Sequence, residues 1–130
     1  DLQNGKGRMK VAGGAYEGAY SFASRFEEGA GTNPEELIAA AHAGCYSMAF
    51  SNDLAKVGHT PTSVNTIARV HLETTDTGPT VTTIDLLCSA VVPGIDDATF
   101  QQIANSAKEG CPISRLLAAA KITLDATLLA

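Results

Sequence analysis

The sequence predicts an α+β domain, with mainly antiparallel sheets packed around a long buried central helix. Three observations carry this. A capped stretch opening at Asn33 keeps the helical period from residue 34 to about 57. Two later segments alternate apolar and polar residues, as half-buried strands do. Two shorter helical stretches and a final alternating segment follow, an order that layers helices on a sheet.

Residues 1–31 are Gly-rich and weakly patterned. Strand character runs from Tyr16 to Phe22, with turns at Gly13-Gly14 and Gly29-Ala30-Gly31. Asn33-Pro34-Glu35-Glu36 is a helix start: Asn33 caps, Pro34 needs no N–H, and Glu36 can return a bond to the cap. Gly58 and Pro61 mark the stop. Leu37, Ala41, Gly44, Cys45, Met48 and Ala55 follow the helical period, and the alanines make the middle apolar all round. Such a helix is expected to be buried on most sides, within the domain or in a subunit interface.

Val64, Thr66, Ala68, Val70 and Leu72 share one strand face; Ile84, Leu86, Cys88, Ala90 and Val92 share another. Thr75-Asp76-Thr77-Gly78-Pro79 is the turn between them. Asp96 or Asp97 caps a helix carrying Phe100, Ile103, Ala104 and Ala107 and closed by Gly110. Cys111-Pro112 opens a short helix through Ala119, and Ile122, Leu124, Ala126 and Leu128 form a last strand.

With 130 residues the expectation is a single domain spanning 1–130. Hydrophobic residues make up 45% and charged residues 18%, enough for a packed core and too apolar for disorder. Only 7 residues are aromatic, so small side chains must pack closely. A net charge of −5 disfavours nucleic acid and anionic membrane surfaces as partners. The longest apolar-rich run, residues 37–50, is short for a membrane span. The polar opening does not read as a secretory signal. Three widely spaced cysteines do not make a secreted disulfide framework, so the expected location is a reducing cytoplasm.

Two readings of Cys111 stay open on spacing alone. Ahead of Pro112 it sits at a helix N-terminus, where N–H groups and dipole favour a thiolate; it is equally a small cap. Cys45 among alanines reads locally as an inert core residue, although Gly44 beside it admits close approach of a backbone or ligand. Cys88 reads as a core hydrophobe. His42 shares a helix side with Cys45 and could be its base, or, as we favour, a packed histidine. His42, Cys45 and Cys111 could form part of a zinc site, but the fourth ligand is unassigned. Arg25, between Phe22 and Phe26, reads structurally as an exposed strand charge and functionally as the cation a thiolate needs. Glu35 reads as an acid at the positive end of the helix dipole.

Asn33-Pro34-Glu35-Glu36-Leu37, Ala40-Ala41-His42-Ala43-Gly44-Cys45, Val92-Pro93-Gly94-Ile95-Asp96 and Cys111-Pro112-Ile113-Ser114, in order along the whole chain, resemble the OsmC/Ohr family of bacterial thiol-dependent hydroperoxide reductases. His42 and the 92–96 stretch are more similar to the OsmC branch than to the Ohr branch. The resemblance implies an intertwined homodimer with active sites at the interface, and an N-terminal strand that is incomplete here. It also implies Cys45 as peroxidatic cysteine, Cys111 as resolving cysteine, and Arg25 with Glu35 as the charged pair that tunes the reactive thiolate. Cys88 matches no functional position of the family.

The implied reaction reduces an organic hydroperoxide, and hydrogen peroxide less well, to an alcohol, as part of oxidative or osmotic stress defence. It passes through a Cys45 sulfenic acid and a Cys45–Cys111 disulfide, recycled by an external dithiol such as a lipoylated protein. No bound cofactor and no metal are implied. One geometric difficulty accompanies it. Glu35 and Cys45 are separated by about 15 Å along a straight helix. Either the helix breaks near residues 42–44, or Arg25 and Glu35 serve the Cys45 of a second subunit, which we favour. The alternatives are a thiol-independent small-molecule or acyl-chain binding module, and a hydrolase using Cys45 and His42.

Overall fold

In the computed structural model, which describes residues 1–130, the Gly-rich opening of the chain is a hairpin. The chain divides into two units, Asp1–Leu37 and Ile38–Ala130. In the first, β1 (Lys6–Lys10) pairs antiparallel with β2 (Glu17–Ser21). Gly14, at φ +75°, takes the left-handed position in the turn between them.

Ser21 then ends β2 and starts a helix the sequence reading missed, α1 (Phe22–Phe26). The Ser21 hydroxyl accepts from the Ser24 N–H, and the Ser21 N–H donates to Ser24 Oγ. This reciprocal cap turns the chain where the pattern suggested continued strand, so Arg25 is a helical residue and not a strand charge. Ser24 is buried and also donates to the Thr32 carbonyl at 2.7 Å.

The long helix α2 (Pro34–Lys56) begins as expected, with Asn33 Oδ1 accepting from the Glu36 N–H at 2.8 Å. Glu36 does not close the box. Its carboxylate instead accepts from the Thr32 hydroxyl. α2 ends at Gly58, φ +88°, where the Gly58 and His59 N–H groups return to the Ala55 and Leu54 carbonyls. The helix runs without a break through residues 42–44.

The second unit carries the sheet and most of α2. Its strands β3 (Ser63–Thr75), β4 (Gly78–Val91) and β5 (Lys121–Leu129) lie in the order β3-β4-β5. The β3–β4 hairpin is antiparallel, but β5 runs parallel to β4, so the sheet is mixed. A parallel return needs a crossover. It is supplied by α3 (Asp97–Gly110), capped by Asp96, and α4 (Pro112–Leu116), which is shorter than the sequence suggested.

The register follows the alternation in the sequence. Ile84, Leu86, Cys88 and Ala90 of β4 are buried, opposite Val70, Ala68, Thr66 and Val64 of β3 and beside Ile122, Leu124, Ala126 and Leu128 of β5. β5 reaches β4 only over residues 83–91, so the far end of the hairpin is a two-stranded ribbon with a bulge between His71 and Leu72.

Against this sheet face the core is completed by Tyr46, Phe50 and Leu54 of α2 and Phe100, Ala104 and Ala107 of α3. Phe50 stacks on Tyr46 and meets Phe100 edge-on at 5.3 Å. The buried stripe of α2 is therefore His42, Tyr46, Phe50 and Leu54. The stripe expected through Gly44 and Met48 lies outside, with Met48 77% exposed. Alanine on every side makes the helix faces alike in apolarity, so the large residues and not the small ones choose the inward face.

Candidate active site

Cys45 precedes the core residue Tyr46 on α2 and is half-buried. Cys111 comes from the joint of the crossover. Its N–H donates to the Ala107 carbonyl to end α3, and Pro112 behind it starts α4. As cap of α4 its side chain bonds no backbone N–H of the cap type. Its Sγ lies 2.9 Å from Cys45 Sγ. Both thiols are free, and the separation exceeds the roughly 2.05 Å of a covalent bond. The structure thus brings together two cysteines 66 residues apart in the chain.

The pair is electrostatically uneven. Burial raises the Cys45 thiol, the hydrogen bond with Cys111 raises it further, and the Ile113 N–H opposes them. No cation is among the groups acting on Cys45. Burial also raises Cys111, but the influence of the Cys45 thiol and of the polar groups of Ser114 and Ile113 at the start of α4 outweighs it. Cys111 therefore stands below the ordinary thiol value.

His42 is fully buried, and its Nε2 lies 2.7 Å from Ser114 Oγ. Burial holds the imidazole below its ordinary value, so it is a neutral packed residue. Its Nδ1 has no partner. Ser114 was named in the sequence only as the end of the Cys111-Pro112-Ile113 motif; its hydroxyl could be placed on His42 only by the fold. Cys88 lies apart from the pair on the inner face of β4, where Tyr46 and Thr66 act on it and burial raises it.

In the first unit, Arg25 of α1 and Glu35 of α2 form a two-pronged ion pair. Arg25 Nη2 and Nε donate to the two Glu35 oxygens at 2.6 and 3.1 Å. Burial pushes Glu35 up, but the Arg25 fork and its own backbone N–H leave it below the usual carboxylate range. The same fork raises Arg25. The guanidinium also stands 5.1 Å from the Phe26 ring centre. It borders a cavity of about 280 Å³ walled by Leu2, Tyr20, Phe22 and Phe26.

The family model described as OsmC-like protein matches residues 27–126. Peroxiredoxin OsmC of Escherichia coli (strain K12) is 49% identical over 126 residues, which is 96% of this chain and 87% of that protein. Peroxiredoxin OsmC of Shigella flexneri matches to the same extent. Among solved structures, an organic hydroperoxide resistance protein OsmC from Legionella pneumophila aligns with a TM-score of 0.74 at 20% identity, over 95% of both chains. The organic hydroperoxide resistance protein OhrB of Bacillus subtilis aligns with a TM-score of 0.74 at 21% identity, over 92% of this chain and 89% of its own. At such identities these two alignments establish a common fold.

Proposed function

The chain belongs to the OsmC family and is a cysteine-based peroxidase, and on that premise we propose that it reduces organic hydroperoxides through Cys45 and Cys111. The observation that carries the proposal is the 2.9 Å contact between two free thiols. The Cys45 thiolate attacks one peroxide oxygen. An S–O bond forms, the O–O bond breaks, and the alkoxide takes a proton to become the alcohol. The Cys111 thiolate then attacks the sulfur of the Cys45 sulfenic acid. An S–S bond forms, the S–O bond breaks, and the departing hydroxide takes a proton to become water. An external dithiol, a lipoylated protein in our reading, exchanges with the disulfide and restores both thiols. The two thiols supply both electrons, so the scheme needs neither bound cofactor nor metal.

Arg25 supplies what residues 38–130 lack. Burial raises Cys45 with no cation to offset it, and a guanidinium held by Glu35 would lower it again and orient the peroxide. Glu35 fixes the Arg25 fork. We propose that Arg25 and Glu35 act on the Cys45 of a second copy in a homodimer. The unbroken α2 supports this, because ten residues of helix rise about 15 Å. The exposed Ala41, Gly44 and Met48 face of α2 supports it as well, being apolar and free of large rings. The apolar cavity beside Arg25 suits a hydroperoxide with a hydrocarbon body and one polar end. The cytoplasm of a bacterium, in defence against peroxide stress, is the proposed setting. No helix is long and apolar enough to cross a membrane.

Thiol counting by intact mass tests the chemistry. One equivalent of cumene hydroperoxide, added anaerobically, should remove two hydrogens mapped to Cys45 and Cys111 and leave Cys88 alkylatable. Three unchanged thiols would overturn it. Mixing an Arg25→Ala chain with a Cys45→Ser chain tests the shared site. Recovered activity is expected, and none beyond either parent would place each site within one chain.

A further inference from the structure

We infer that the external dithiol attacks the sulfur of Cys45, and that Cys111 serves only as the leaving group and never bonds to the reductant. The inference deepens the two-cysteine reading above and rests on it. The two thiols lie 2.9 Å apart but differ in access. Cys111 is 0% exposed and belongs to the core formed with Tyr46, Phe100, Ala104 and Ala107. Cys45 is only half-buried. Its helical neighbours Ala41 and Met48, four residues before it and three after, are exposed. Gly44 beside it is exposed too, and a Cβ placed there would have no neighbour within 4 Å. This is the face of α2 that the homodimer reading turns to the shared site, whereas Cys111 is covered by its own chain.

The backbone holds that difference in place. The Cys111 N–H donates to the Ala107 carbonyl at 2.9 Å, and the Cys111 carbonyl accepts from the Arg115 N–H at 3.0 Å. The joint of α3 and α4 would have to open before a thiolate could reach the Cys111 sulfur. Cys45 needs no such opening. Thiol–disulfide exchange depends on access as well as on nucleophilicity, so attack falls on the reachable sulfur. An S–S bond forms between reductant and Cys45, and the Cys45–Cys111 bond breaks. Its electron pair leaves on Cys111, which takes a proton from water. The second thiolate of the reductant then attacks the reductant sulfur of the mixed disulfide. The reductant closes its own S–S bond, and Cys45 departs as a thiolate. The dithiol gives up two electrons and the protein disulfide takes up both. Cys111, held beside the mixed disulfide, can return to Cys45 and expel the reductant. A second thiol on the same reductant molecule competes with that return, because it too acts at high effective concentration.

The test begins with the intact protein oxidised by one equivalent of cumene hydroperoxide, its Cys45–Cys111 disulfide confirmed by mass. Excess 2-mercaptoethanol, a monothiol, is added, the reaction is quenched early with N-ethylmaleimide, and the peptides are mapped. The expected species carries mercaptoethanol on Cys45 and maleimide on Cys111. A second measurement needs no adduct to survive. Ellman's reagent should label Cys45 in folded Cys111→Ser at least about tenfold faster than Cys111 in folded Cys45→Ser, because the latter waits for the core to open. In urea the two rates should come together, which separates access from intrinsic reactivity. Peptide mapping keeps Cys88 out of both counts.

Mercaptoethanol on Cys111 with maleimide on Cys45, or equal shares of the two species, would overturn the inference. So would equal labelling rates in the folded variants, or a difference that persists undiminished in urea. If peroxide leaves no Cys45–Cys111 disulfide before any thiol is added, the two-cysteine reading falls first and the inference with it.

Discussion

Oxidation of the Cys45–Cys111 pair should stabilise the folded chain, by an amount that the sequence separation sets. A cross-link between residues 66 apart removes loop-closure entropy from the unfolded chain worth about 4 kcal/mol at 25 °C. Little of this is expected to be lost to distortion, because the sulfurs already lie 2.9 Å apart and need to approach by only about 1 Å. Unfolding entropy near 2.1 cal/mol/K per residue over a 130-residue chain converts the gain into a rise of about 15 °C in melting temperature. The assay is differential scanning calorimetry of thiol-reduced and peroxide-oxidised samples at one protein concentration, with the bridge mapped by mass spectrometry. Cys111→Ser, treated identically, should show no such rise. A mapped disulfide with an unchanged or lower melting temperature would refute the reasoning, since it would mean the native positions must be deformed to accept the bond.

Three further outcomes follow from the same geometry. Cys111→Ser should still consume one equivalent of peroxide and then stall as a Cys45 sulfenic acid trappable by dimedone; sustained turnover with a dithiol at the native rate would remove Cys111 from the cycle. Phe50→Ala takes a fully buried ring from between Tyr46 and Phe100 and should cost about 3–5 kcal/mol in urea unfolding; a loss under about 1 kcal/mol would mean the cavity collapses freely. Glu35 sits below its usual carboxylate value when folded, so its pairing stabilises fully above the unfolded value, about 4.3, and is lost as pH falls through the lowered folded value. Glu35→Gln should therefore flatten the acid limb of stability against pH below that point, and an equally steep limb in both proteins would count against the ion pair.

The strands β3, β4 and β5 were legible because their period is unambiguous, whereas β1, in the weakly patterned Gly-rich opening, was not. The alternation through Ile84, Leu86, Cys88 and Ala90 matches the buried face of β4 residue for residue. The start of α2 was legible because Asn33 and Pro34 are local signals. The inward face of α2 was not, since its alanines and glycine carry little directional information and the buried stripe includes the polar atoms of His42 and Tyr46. α1 escaped notice because its cap is made by Ser21 and Ser24, a weak signal within a stretch of aromatic residues. The meeting of Cys45 with Cys111 was not in the local pattern, where one read as core and the other as a cap. Only the resemblance pointed to their pairing, and only the crossover through α3 and α4 gives it a distance.

The β3–β4 hairpin outruns its third strand, and this divides the sheet mechanically. Next to β5 each β4 residue is held from both sides, whereas beyond Thr83 the ribbon depends on a single ladder interrupted at His71/Leu72. A two-stranded ribbon is only marginally stable by itself. Amide hydrogen exchange should therefore be fastest toward Asp76 and Thr77 and slow sharply where β5 begins. That tip is accordingly the place to graft a peptide tag or a fluorescent reporter into the middle of the chain while the thiol chemistry proceeds undisturbed.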